Sequence, residues 1–495
     1  MQQIIMLFIL VGGAAFIAFA ATVVMAGTVQ LTSRRTHGYL HLIFYAMLAM
    51  MALGTLLSSR DLSIASFSLE EAVAVPRNPI IRWGQPLVSL LLLTVAGERI
   101  ISFWFKREKA SFASPVLLVA FVFFWLCSVA APAFLGAHSF ITHDYAYPLV
   151  IGVAAILATS VERDLAFRAA RDALMVFMLA GLLLIPLQPS LVMETSYAQG
   201  LLPGVPRLAG LAAHAVSLSV LALLGLISLI ALPYRQVWLN RLAWAVGLTV
   251  LFLAQSKTAW ISFFLCLACF FVVRQGGDFW RRAGNPARPE VGITAILGLM
   301  TAVLVVGLVL MFGNPGTRID AFFNSSEGAQ LASFTGRDKI WAIAYDEWRR
   351  NPVFGYGPLI WETDFRISIG MPNATHAHNQ FMDTLSRSGS VGAVALVFYG
   401  LVLMFLSVRY AKESKGLTLA LFVLLAMRSI SEVPLSLFGY GPEFITHLLL
   451  LIALAAVASE VRLRKAQPVR GQPSFGFSQS LYPAKNSLGA AGSRL

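Results

Sequence analysis

Apolar runs long enough to cross a bilayer recur along this chain, with mostly short polar breaks between them. A membrane-spanning helix needs about 20 predominantly apolar residues. Hydropathy places thirteen candidates near 4–26, 38–57, 86–104, 115–131, 147–160, 172–188, 208–232, 241–254, 258–273, 291–312, 391–408, 416–433 and 443–459. Residues 313–377 break the rhythm as the one long extramembrane stretch apart from the C-terminal tail. The pattern predicts an all-α polytopic membrane protein of about 12–13 transmembrane helices, with one large structured loop.

Composition supports the same class. Of 495 residues, 58% are hydrophobic and 12% charged, and mean hydropathy is +0.74. A soluble chain carries about a quarter charged residues. The net charge of +13 would suit nucleic acid, but its placement is a topology signal. SRRTH (33–37), KREK (106–109), the Arg163 to Arg171 segment, Arg235 with Arg241, 274–288, RYAKESK (409–415) and the tail from 461 fall on one side. They hold 23 Lys and Arg, against 11 on the other side, six of those within 313–377. Positive loops stay in the cytoplasm, so 313–377 is expected outside and the C-terminus inside. The N-terminus falls outside if all thirteen spans cross, and inside if one early span is re-entrant. Residues 1–26 lack a basic n-region and read as a retained span. Residues 461–495 form a cytoplasmic tail, rich in Pro, Gly and Ser from 467 and expected to be disordered. Cys127, Cys266 and Cys269 lie in apolar spans and read as packing residues, not redox or metal ligands.

Within the outer loop, TGRDKIWAIAYDEWRRNP (335–352) reads as an amphipathic helix. Thr335 and Asp338 have N-terminal capping-box spacing, and Asn351-Pro352 supplies a stop. Ile340, Ile343, Ala344 and Trp348 share a face with Trp341 beside them, which suits an interfacial anchor or part of a structured cap. Arg337 fits neither, because a cation in the first turn opposes the helix dipole. Free N–H groups at a helix start attract anions, so Arg337 points to a phosphate. Arg207, in PGVPRLAG, and Lys257, in the short turn AQSKTAW, are further outer-face cations. Singly, each is explained by snorkelling. Together the three suggest an anionic lipid ligand.

The loop ends in THAHNQFMDTLSRSGSVGAV (375–394), a polar cluster at the lip of an apolar run. A histidine there can accept a proton near neutral pH, which makes His378 a candidate base beside a cationic pocket. Asp383 and Arg387 are placed to pair at i, i+4, and Gly389 and Gly392 to let the helix pack closely. Arg428 and Glu432, also i, i+4 but inside the span 416–433, read as a buried ion pair lining a cavity or as part of the anion pocket.

His378-Asn379, nine residues, Gly389, two residues, Gly392 resembles the pattern H-[NSQ]-x9-G-x-x-[GTY] of the O-antigen ligase and polymerase family. RLAG at Arg207, Ser256-Lys257-Thr258 and the block GR-x3-W-x(n)-NP-x2-G-x-G from Gly336 to Gly357 are similar to further segments of that family. They occur in the same order, and the resemblance covers roughly residues 200 to 435. It implies a C-type glycosyltransferase-like fold, with 1–199 as N-terminal helices and 200–460 as the catalytic membrane region. It also implies an inverting, metal-independent enzyme of the bacterial inner membrane with its site facing the periplasm. The donor would be an undecaprenyl-diphosphate-linked glycan and the acceptor another glycan or lipid A-core, with a chain-length regulator as a possible partner. His378 would activate the acceptor hydroxyl with help from Asn379, while Arg207, Lys257 and Arg337 hold the diphosphate. His376, outside the spacing, is expected to matter less. Lys257 departs from the arginine of the family pattern and loses its two-pronged grip. Glu362 and Asp364 are the one acidic pair in the loop that could imitate a metal-binding motif. A flippase for lipid-linked oligosaccharide is the alternative, but it would line a path through both leaflets, often with repeats.

Overall fold

The computed structural model describes residues 38–58, 60–62, 78–105, 114–195, 205–283, 337–371 and 374–466, with isolated helical positions within 22–30 and 290–304. Two expected spans, 4–26 and 291–312, lie outside the described residues apart from those positions. So do Thr335, Gly336 and the tail from 467. The other expected spans each coincide with a helix: α1 (Leu42–Leu56), α2 (Pro79–Phe105), α3 (Pro115–Leu135), α4 (Ala146–Ile156), α5 (Ser160–Leu183), α6 (Ala215–Ala231), α7 (Val237–Leu253) and α8 (Lys257–Ala283). After two helices of the long loop, α9 (Arg337–Arg350) and α10 (Thr363–Ser368), come α11 (Gln380–Arg409), α12 (Leu417–Ser431) and α13 (Pro442–Ala466). Helices α2, α3, α8, α11 and α13 contain stretches long and apolar enough to cross a membrane. The chain is an all-α polytopic membrane protein. Its described strands are two residues each, β1 (Met193–Glu194) and β2 (Arg207–Leu208), paired antiparallel.

One boundary differs from the expectation. The Arg163 to Arg171 segment, expected in a loop, forms the first half of α5. Thr159 and Glu162 make a reciprocal capping box there, which satisfies two of the helix's orphan donors. Arg163 reaches Glu460 on α13 at 3.1 Å. Arg163 and Arg171 are held by carboxylates of α5 and α13 instead.

Helix α13 is the hub. Its spanning window is 89% buried, and it packs against α4, α5 and α12. Outer helices expose apolar side chains such as Trp104, Val119, Val394 and Phe405, as lipid-facing surfaces require. Inside, His447 of α13 meets the Tyr399 hydroxyl of α11 at 2.6 Å. Cys266 donates to the Ala420 carbonyl, so this cysteine packs as expected.

The long loop folds into a cap on α11. Ala344 of α9 is buried with Ile360, Trp361, Phe365, Ala374 and Ala377, so the apolar face meets protein, and the simple interfacial anchor is not what the helix forms. Residues 352–357 lie on a break in α11. Gly389 has φ +63°, a conformation that only glycine adopts freely. The amides of Ser390 and Val391 donate to the carbonyls of Pro352 and Val353, and those of Tyr356 and Gly357 to Ser386 and Arg387. A Cβ at Gly389 would strike the Val353 carbonyl. Gly389 therefore admits the cap backbone and not a neighbouring membrane helix, while a Cβ at Gly392 would meet Ser388 of α11 itself.

Candidate functional site

The polar cluster sits where the cap re-enters the membrane region. Asn379 is the N-cap of α11, its side chain accepting from the Met382 amide at 3.0 Å. Its Nδ2 donates to the Ile430 carbonyl in the last turn of α12. Gln380 accepts from the Leu435 amide at 2.7 Å. Two consecutive side chains thus tie the start of α11 to the end of α12. Pro434 lies just beyond that end, and Glu432 is already extended.

His378 is fixed from several directions. Its neighbour Ala377 donates to Asp383 Oδ1 and accepts from Trp341 Nε1 at 2.9 Å. Asp383 also pairs with Arg387 at 3.2 Å, as the spacing predicted. His378 has φ +48°, uncommon for a residue with a side chain and of a kind that concentrates at functional sites. Its amide donates to His376 Nδ1 at 3.1 Å.

Glu432 faces both histidines. Its Oε2 lies 3.2 Å from His376 Nε2 and 3.4 Å from His378 Nδ1. The His376 contact has a clear polarity. Since Nδ1 of that ring accepts from the His378 amide, the neutral ring carries its proton on Nε2, facing the carboxylate. His378 Nδ1 is buried without an aligned hydrogen bond. The i, i+4 spacing pairs Glu432 with Arg428, and the structure corrects this. Arg428 and Glu432 are both buried, 2% and 6% exposed, but Arg428 Nη2 bonds Glu443 Oε1 of α13 at 2.7 Å. The helix ends before Glu432, which turns its side chain to the histidines.

Potential ligand atoms of His376, His378 and Glu432 lie within 4.8 Å of one another, a spacing compatible with a metal ion. The tautomer argues against one. Ligation through His376 Nε2 would move the ring proton to Nδ1, opposite the His378 amide. The trio fits the handling of protons better than it fits a cation. Glu362 and Asp364 are exposed at the start of α10.

Burial is the main reason that the His376 ring is pushed down from the usual 6.5 to about 4; nearby His378 adds to this, and Glu432, Asp383 and Glu443 oppose it. A depressed histidine stabilises the fold fully above its unfolded value and loses that contribution as pH falls toward the folded value. Thermal stability is therefore expected to drop between pH 6.5 and pH 4, and His376→Gln to flatten that drop. An unchanged drop in the variant would exclude His376 as its source.

The cations fall into two corners. Arg207, buried in β2, donates from Nε to the Ala254 carbonyl at 3.2 Å and lies 3.6 Å from Glu194. Gln255, with φ +50°, donates to the carbonyls of Val205 and Pro206. RLAG and the SKT turn therefore share one corner, where Lys257 is exposed at the first residue of α8. Arg337 opens α9, one turn before Trp341. A set of polar contacts runs from the Arg207 corner as far as Arg428. Glu194 accepts from the Ala215 amide, Ser217 touches both His214 and Glu443, and Glu443 holds Arg428.

Three parts were not legible beforehand. The i, i+4 spacing directs Glu432 to Arg428 and not to the histidines, and His376 lies outside the motif. Arg60, between α1 and α2, donates to the carbonyls of Leu191, Gly210, Ala212 and Ala213 and so pins the RLAG turn.

No curated protein matches the chain. Residues 242–397 match the family Wzy_C, described as O-antigen ligase. The match takes in Lys257, Arg337, His378, Asn379, Gly389 and Gly392, while Arg207, Arg428 and Glu432 lie outside it. This region of the chain is similar to the O-antigen ligase family.

Proposed function

We infer that the protein transfers a glycan from an undecaprenyl diphosphate carrier at the periplasmic face of the inner membrane. The acceptor is a second lipid-linked glycan or lipid A-core. The reading is carried by His378, held beside a buried carboxylate where the cap meets α11, inside the region that matches the family. With its Nδ1 proton turned to Glu432, His378 presents Nε2 as the base. The acceptor hydroxyl gives up its proton to that nitrogen and attacks the anomeric carbon opposite the diphosphate. The new C–O bond forms as the bond to diphosphate breaks, inverting the configuration. Glu432 offsets the imidazolium charge, and Arg207, Lys257 and Arg337 offset that of the departing diphosphate. Asn379 acts as a brace, which explains why the family pattern admits Asn, Ser or Gln beside the histidine. The step needs no metal. Residues 200–460 act as the catalytic region and 1–199 as its support, with Arg60 one of the contacts between them.

Protein reconstituted with purified lipid-linked oligosaccharide is the test. Lengthened lipid-linked glycan is expected for a polymerase, and glycan on lipid A-core for a ligase, each unaffected by EDTA. Movement of the donor between leaflets with no new glycosidic bond would replace this reading with a flippase. Loss of transfer in EDTA would restore a metal.

A further inference from the structure

Buried polar atoms without a hydrogen-bond partner are scattered through the described interior except at one junction. Where α12 ends beside the start of α13, Arg428 Nε and Nη1, Ser431 Oγ, Glu443 Oε2 and Thr446 Oγ1 all lack a partner. Buried polar atoms are nearly always satisfied, so this concentration calls for a cause. Arg428 is its centre. The guanidinium is almost wholly enclosed, and its single bond runs from Nη2 to Glu443. Ser431 lies one turn further along α12, and Thr446 one turn beyond Glu443 on α13, so the hydroxyls flank the charge from both helices. Arg428 also lies within electrostatic reach of Glu432 and His214, which places it at the junction that holds the histidines.

We propose that Arg428 is a binding residue for the diphosphate of the lipid-linked donor, an assignment that rests on the donor chemistry inferred above. Nε–H and Nη1–H point from opposite edges of the guanidinium, so each has a bond to give to a different oxygen of the two phosphoryl groups. Glu443 engages Nη2, fixing the plane of the guanidinium and lowering the cost of an enclosed cation before the ligand arrives. Ser431 and Thr446 add hydroxyl donors. The guanidinium that Lys257 lacks is thereby supplied from α12, outside the region that carries the family match.

The test uses the full-length chain in nanodiscs, with farnesyl diphosphate as probe, farnesol as its uncharged control and galacturonate as an acidic sugar. Binding is read by thermal stabilisation, independently of glycan transfer. Wild type is expected to bind the diphosphate and neither control. Removing both charges together in the double variant Arg428→Met, Glu443→Gln avoids leaving one buried charge alone. Its Kd for farnesyl diphosphate is expected to rise at least about tenfold. Arg428→Lys should fall between the two, and Glu443→Gln alone should bind at least as tightly as wild type. Unchanged affinity in the double variant or in Arg428→Lys overturns the assignment of Arg428 and leaves the donor reading intact. Stabilisation by galacturonate instead of the diphosphate overturns it in favour of an acidic glycan. Absence of any diphosphate-specific binding by wild type overturns the donor reading itself.

Discussion

Replacing His378 by alanine is expected to reduce glycan transfer by about 10² to 10⁴, the usual loss when a positioned general base is removed. The variant should still insert and express, because the side chain is held mainly through its contact with Glu432 and the loop is anchored independently through Ala377 and Asn379. Single-repeat glycan should remain on its carrier. Glu432→Gln keeps the shape of the carboxylate and removes its charge, so transfer should fall. Asn379→Ser preserves an N-cap and should retain more activity than Asn379→Ala. His376→Ala should be worse than its place outside the motif suggests, because its Nδ1 braces the left-handed backbone of His378. Near-normal turnover by His378→Ala in reconstituted protein would reject the catalytic role. Equal losses for Asn379→Ser and Asn379→Ala would show that capping is not what Asn379 provides.

Arg207→Ala is expected to abolish transfer, and Arg207→Lys to recover part of it through charge without the fork. The structure makes this substitution harder to read than the sequence implied. Arg207 is buried against Glu194, and removing one member of a buried pair costs about 3–5 kcal/mol because the other charge is left alone. A dead Arg207→Ala protein is therefore equally consistent with a broken fold. The double variant Arg207→Ala, Glu194→Gln separates the two causes. It should recover thermal stability but not transfer. Arg349, exposed on the far side of α9, should tolerate alanine, whereas Arg337→Ala should not. Recovery of transfer in the double variant would show that Arg207 serves structure alone. Comparable losses at Arg337 and Arg349 would point to disruption of α9 instead of a lost anion contact.

The spans were legible because their cause is local: a helix that crosses lipid must be apolar over its whole length, whatever its neighbours are. The cap helix was legible for a related reason, since the stop at Asn351-Pro352 and the stripe through Ile340 and Ala344 are properties of a few successive residues. The spacing from His378 to Gly392 marked the right corner of the molecule but not its reasons. Gly389 proved to be the break that admits the cap backbone, Trp341 the donor that holds the carbonyl beside His378, and Asn379 the cap that ties two helices together. Arg428 and Glu432 show where local reasoning fails. At i, i+4 they are neighbours only while the helix continues, and it ends at Ser431 ahead of Pro434. Once the backbone turns extended, each side chain takes the partner that packing brings near, Glu443 from α13 for one and the histidines before α11 for the other. Periodicity along one helix carries no information about which other helix will lie across its end; that is decided by how the bundle closes around α13, and the pairing of charges follows from it.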